Sequence, residues 1–257
     1  MSVRMAALPL ALAITACTPT ALYETEHGTV NLPCLGAPGS DPTVVFTSAA
    51  GDAGHEQWWR IQDALAQPAH SCIFDPPGTG RAPASAAPLT PTHTAEALVD
   101  ALDQAGAPGP WVFVSHSHSA LFVRVLGKSY PDDVHAAVFV NPMVPAFIPD
   151  QPEDLVAAGF DAQQTADEAA AVMSWTSEAP MYVSSHDADL AVSVYGWTEQ
   201  AQDVWTAGQG EYASLTGVGV QAEIPGTENY LHREAPDVVL YTLEAARVFP
   251  EEPPPFR

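Results

Sequence analysis

Positive charge is what this 257-residue sequence has least of. Eight lysines and arginines stand against 31 aspartates and glutamates, Lys128 is the single lysine, and the formal net charge is −23. A surface of that sign repels phosphate backbones and anionic headgroups, which excludes nucleic-acid binding and electrostatic docking on acidic lipid. Salt screening relieves the self-repulsion, so the composition suits a saline habitat. No run of 18 or more apolar residues is present, so the sequence offers no membrane-spanning helix. No internal repeat is visible, which excludes a solenoid or propeller. What is abundant is core: 47% of the residues are hydrophobic, enough for one large domain or two small ones.

Cysteine is scarce too, with three in the chain. The first of them closes a leader-like segment. Arg4 is followed by an apolar run from Met5 to Ile14 and then by small residues up to Cys17, the pattern of an export signal. Ile14-Thr15-Ala16-Cys17 resembles a bacterial lipobox, in which the cysteine is lipidated and becomes the first residue. Residues 1–16 are therefore expected to be a lipoprotein-type signal peptide, and 17–257 the mature chain. That chain would be held at the cell envelope by its lipid alone. A plain secretory signal, with Cys17 removed or left free, is the alternative. Either way Cys34 and Cys72 would sit in an oxidising compartment, where a disulfide is the default.

From Asp41 onward short apolar runs alternate with helix-length segments. Strands are predicted at Thr43–Thr47, His70–Phe74, Trp111–Ser115, Val134–Val140, Met181–Ser185 and Val218–Ile224. Helices are predicted at His55–Ala66, Thr94–Gly106 and Ser119–Tyr130, around Val204 to Leu215, and at the chain's end. Thr94 is the expected N-cap of the second of these. Near-continuous apolar strands between amphipathic helices imply a doubly wound, mostly parallel α/β sheet covered on both faces. Between 146 and 179 the rhythm breaks into an acidic, alanine-rich stretch. It reads as a small helical cap insertion, with a long disordered excursion as the alternative.

Ser117 lies between a predicted strand and a predicted helix, at the carboxyl edge where such sheets bind ligands. Its neighbours two residues before and after, Ser115 and Ser119, are small, as a sharp strand-to-helix turn requires. The usual form of this turn is G-x-S-x-G, and here it reads S-x-S-x-S. Four segments in order resemble the α/β-hydrolase family, from about Asn31 to Val248. They are the first core strand and oxyanion loop (43–59), the "IFDPPGTGRAPAS" loop, the elbow from Ala107 to Pro142, and "IPGTENYLHREAPDVV". The resemblance implies a doubly wound sheet with Ser117 as nucleophile. It implies an oxyanion hole from the backbone N–H groups of Ala50 and His118. It also puts Cys34 and Cys72 on strands that can be close, and bridging them would add about 3–4 kcal/mol by loop entropy.

The same resemblance assigns the acid to Asp187, after the Met181–Ser185 strand, with Asp189 in reserve; a helix N-cap is the plainer reading of either. The base is missing from its place, for Asn229 falls where the family carries histidine. An asparagine cannot accept and return a proton near neutral pH. His232, three residues on, is the candidate replacement, and a packed side chain is its plainer reading. The side chains of His116 and His118 are expected to point away from Ser117. H-x-H also raises a zinc site completed by His186, His232 or Asp187, which the spacing supports weakly. No cofactor or metal is expected. Two functions remain: a serine hydrolase of ester-like acyl bonds in small molecules, or a hydrolase-fold binding protein that has lost its base. A nucleotide-binding α/β protein would need a phosphate-cradling glycine loop, which the sequence lacks.

Overall fold

The computed structural model describes residues 20–248 except 40, 66–68 and 151. Residues 1–16, expected to be a signal peptide, and Cys17 lie outside the described residues. A hairpin of β1 (Leu22–Thr25) and β2 (Gly28–Asn31) precedes the main sheet. That sheet has seven strands: β3 (Cys34–Leu35), β4 (Thr43–Thr47), β5 (Ser71–Phe74), β6 (Trp111–His116), β7 (Val134–Val140), β8 (Met181–Ser185) and β9 (Gly219–Glu223). Their order is β3-β5-β4-β6-β7-β8-β9, with β3 antiparallel to β5 and every other neighbouring pair parallel.

The alternation of side chains along β6 shows why the sheet is covered twice. Trp111 and Phe113 join one core with Phe74, Leu98, Val123 and Phe139. Val112 and Val114 join the opposite core with Phe46, Trp58, Ile61 and Leu243. A strand buried on both faces needs apolar residues at every position, which is why this one reads as a continuous run. The first core is roofed by α2 (Pro91–Gln104) and α3 (Ser119–Ser129), the second by α1 (Gly54–Ala64) and α9 (Pro236–Val248).

Helix α2 starts earlier than the sequence suggests. Its N-cap is Thr90, whose hydroxyl accepts from the His93 N–H at 3.2 Å, and Pro91 occupies the first turn. Proline has no N–H to lose there and its φ is already helical, so the helix begins at Pro91 rather than after Thr94. Thr94 instead lies inside the helix and donates its hydroxyl to the Thr90 carbonyl.

Cys34 and Cys72 are bonded to each other across the β3–β5 pair. Between β7 and β8 lie a 3-10 turn (Pro145–Asp150), α4 (Glu153–Ala157) and α5 (Ala162–Ala171). Between β8 and β9 lie α6 (Ala188–Tyr195) and α7 (Glu199–Ala213). A third apolar cluster joins the two connections: Met143, Phe147, Leu155 and Phe160 pack with Trp205 of α7. The helical layer over the strand ends thus extends beyond 146–179, because the first connection alone is too short to bury its own apolar face.

Candidate active site

Ser117 occupies the turn from β6 into α3 with φ +54, a left-handed conformation rare for a residue with a side chain. The turn is pinned on three sides. The Ser117 N–H donates to the Val140 carbonyl at 3.2 Å, and the Ser117 carbonyl accepts from the N–H groups of Met143 and Ala120 at 3.0 and 3.1 Å. Below it, Thr47 at the end of β4 places its hydroxyl 3.0 Å from that of Ser115 and 2.9 Å from that of Ser119. Ser119 also donates to the His116 carbonyl. The serines that stand where glycines are usual are therefore buried and partnered. Their hydroxyls hold the elbow through a network centred on Thr47.

The cleft above Ser117 has a volume of about 200 Å³ and is lined by His118, Asn141, Asp154, His186 and Asn229 among others. A roomier groove of about 480 Å³ lies elsewhere, between α1 and the start of α9, and does not include Ser117. Volume is a poor guide here, since the smaller cleft alone holds the strained serine.

His118 does not point away from Ser117. Its Nδ1 lies 3.2 Å from the Ser117 hydroxyl oxygen, within hydrogen-bond reach. The left-handed turn at Ser117 brings both side chains to the same side of the chain. Burial lowers the His118 imidazole to about 4, and the Asp154 carboxylate on α4 opposes that shift. His118 is thus neutral near pH 7, with a ring nitrogen free to accept. The backbone N–H groups of His118 and Ala50 are not taken by any acceptor among the described residues. His118 also stands at the N-terminus of α3, where unpaired N–H groups carry partial positive charge.

His232 goes elsewhere. It is buried, its Nε2 donates to the Gln57 side-chain oxygen at 3.0 Å, and its ring packs 4.4 Å from Trp58 and 4.6 Å from His116. Burial drives it down to about 2, with His116 and Arg233 acting in the same direction. The structure therefore does not bring His232 to Ser117. The turn of α8 (Leu231–Glu234) faces it into the core beneath α1.

Asp187 sits at the end of β8, but its carboxylate is spent on backbone. One oxygen accepts from the N–H groups of Asp189 and Leu190 and caps α6; the other accepts from the Gly226 N–H at 2.7 Å. These bonds hold it below the usual carboxylate range. Among the described residues no imidazole hydrogen-bonds to it, and His186 acts on it only as a neighbouring charge, so the structure gives it the N-cap role in place of the orienting one. Asp189 is exposed on α6.

Asn229 does line the cleft. Its side-chain oxygen accepts from Asn141 Nδ2 at 2.8 Å, and its carbonyl accepts from His116 Nε2 at 2.9 Å. His116 is fully buried and lowered to about 4, chiefly by lost hydration. It acts as a neutral strut between β6 and the loop that carries Asn229. Asn141, which the sequence did not single out, is the second strained residue, with φ +46 at the end of β7. Its side chain ties Asn229 to the backbone N–H of His186. Asparagine tolerates that conformation better than most residues, and its place just past a core strand was the available signal.

The structure does not gather His116, His118, His186, His232 and Asp187 into a metal site. Among the described residues the one group with metal-ligand spacing is Cys34, His70 and Cys72, and the disulfide uses both of its sulfurs.

Comparison with known proteins agrees with this fold. Residues 42–204 match the family model for the alpha/beta hydrolase fold. The chain belongs to that family. Among curated proteins, the esterase PIR7B of Oryza sativa subsp. japonica is 36% identical over 91 residues, 34% of this chain and 34% of its own length. The chain thus spans about a third of that relative. Among solved structures, an enol-lactonase from Burkholderia xenovorans LB400 has a TM-score of 0.62 at 14% identity, covering 87% of this chain and 98% of that one. The carboxylesterase CesB from Bacillus subtilis has a TM-score of 0.62 at 14% identity, covering 88% and 90%. At such identities the likeness is one of fold.

Proposed function

We propose that the protein is a serine hydrolase that cleaves small acyl esters, with Ser117 as nucleophile and His118 as its base. The observation that carries this reading is the strained Ser117 with a neutral imidazole nitrogen 3.2 Å from its hydroxyl. A serine hydroxyl needs such a neighbour to react at neutral pH. Ser117 Oγ bonds to the acyl carbon as its proton passes to His118 Nδ1. The carbonyl electrons move onto oxygen, where the N–H groups of Ala50 and His118 receive the charge. His118 then returns the proton to the departing alcohol, and a water repeats the sequence to release the acid. Asn229 and Asn141 shape the wall where a loop histidine would otherwise stand. The esterase and lactonase relatives support the reaction class. A binding protein without turnover is the reading that remains if the serine proves inert.

Fluorophosphonate labelling followed by intact mass tests the assignment. Labelling is expected in the wild type and lost in Ser117→Ala. In His118→Gln, which keeps the backbone N–H, its rate should fall by roughly 100-fold or more. His232→Gln should label at the wild-type rate. Loss of labelling in His232→Gln with retention in His118→Gln would sink the assignment of the base. No labelling of folded wild type would sink the enzyme.

A further inference from the structure

The walls of the cleft are unevenly charged. Among its lining residues Asp154 is the single formal charge, and no lysine or arginine reaches it. His118 and His186 are both held toward the neutral form by burial. Anionic substrates therefore meet no counter-charge there beyond the oxyanion donors.

The remaining wall is aromatic and rigid. Trp197 and Trp205 stand edge to face with centroids 5.4 Å apart, and Phe147 backs them at 5.0 and 5.4 Å. His186 stacks on Trp205 at 5.5 Å. Trp205 is only 4% exposed, while Trp197 is partly open. Trp205 is covered by His186 and Phe147, so the partly open Trp197, held by packing, supplies the accessible aromatic surface of the small volume that the Asp154 carboxylate also lines. Next to Asn229 in the chain, Tyr230 feels Asp52 and Asp154 electrostatically, with Arg233 as the opposing charge. The net charge of −23 raises the local concentration of cations around all of it.

We propose that the cleft selects a small ester whose alcohol portion carries an alkylammonium group, the cation seated against Trp197 beside Asp154. Cations bind indole faces in this way, most strongly when water is excluded. A cleft of about 200 Å³ limits the ligand to a compact one. Hydrolysis of the bound ester rests on Ser117 being the nucleophile, but the preference for the cation does not.

The test is calorimetric titration of the Ser117→Ala chain with butyrylcholine and with 3,3-dimethylbutyl butyrate, which replaces the charged nitrogen by carbon at the same shape. The cationic ester is expected to bind about tenfold tighter. Most of that preference should disappear in Trp197→Leu and in Asp154→Asn. Equal or tighter binding of the neutral ester, no binding of either, or a preference untouched by both substitutions overturns the proposal. Fluorophosphonate labelling of the wild type reports on the serine separately. Labelling without a cation preference overturns this inference alone; a preference without labelling overturns the hydrolytic reading alone.

Discussion

Ser117 and His118 are adjacent in sequence, and that adjacency sets the pH behaviour of the site. Only the neutral imidazole accepts a proton, so reactivity is present above the His118 pKa and lost as pH falls through it. With that pKa lowered to about 4, the fluorophosphonate labelling rate should stay level through the neutral range and halve as the pH falls to about 4. The groups facing the ring set the position of the fall: Asp154 on α4 raises it, while lost hydration at the base of the cleft lowers it further. A histidine in open solvent would halve the rate near its ordinary 6.5, and that result would place the base elsewhere. The serine itself was legible in the sequence, because small neighbours at both flanking positions are a steric demand of the turn. The imidazole was not, because which way a side chain leaves a left-handed turn is a torsional fact that spacing does not encode. Nor was the burial of His232, which depends on Trp58 and Gln57 arriving from a helix about 175 residues earlier.

Among the elements, the core strands β4, β7 and β8 lie where their apolar runs place them, since a doubly buried strand has a composition that nothing else shares. The hairpin of β1 and β2 was missed because its strands are only four residues each and β1 is half exposed, with polar residues interrupting the apolar ones. Helix α6 was missed as well; its N-cap is Asp187, the residue that the sequence assigned to catalysis. One carboxylate could serve either end, and the strand exit alone did not decide between them. The disulfide joins edge strand β3 to β5 and closes a separation of 38 residues, away from the cleft. Replacing both cysteines by serine should lower the unfolding free energy by about 3–4 kcal/mol, read from urea denaturation. The labelling rate of the folded variant should not change. A slower rate would mean that the edge of the sheet helps to hold the elbow.

The whole molecule folds against its own charge. With 31 acidic side chains and eight basic ones, compaction brings like charges together, and added salt screens them. The urea midpoint should therefore rise with sodium chloride at constant m value. A midpoint that falls with salt would mean that attractive pairs dominate despite the net charge. The same charge bears on how the sheet ends. Among the described residues β9 pairs with β8 on one side only, and three of its five residues are exposed. An open strand edge is a template on which another chain can add a strand. At neutral pH each copy approaches that edge carrying a large negative charge, so repulsion keeps the templates apart. Protonation of the carboxylates in acid removes the repulsion and leaves the edge intact. Acid that protonates the imidazole beside Ser117 also titrates these carboxylates, and the molecule then becomes prone to assemble along its last strand.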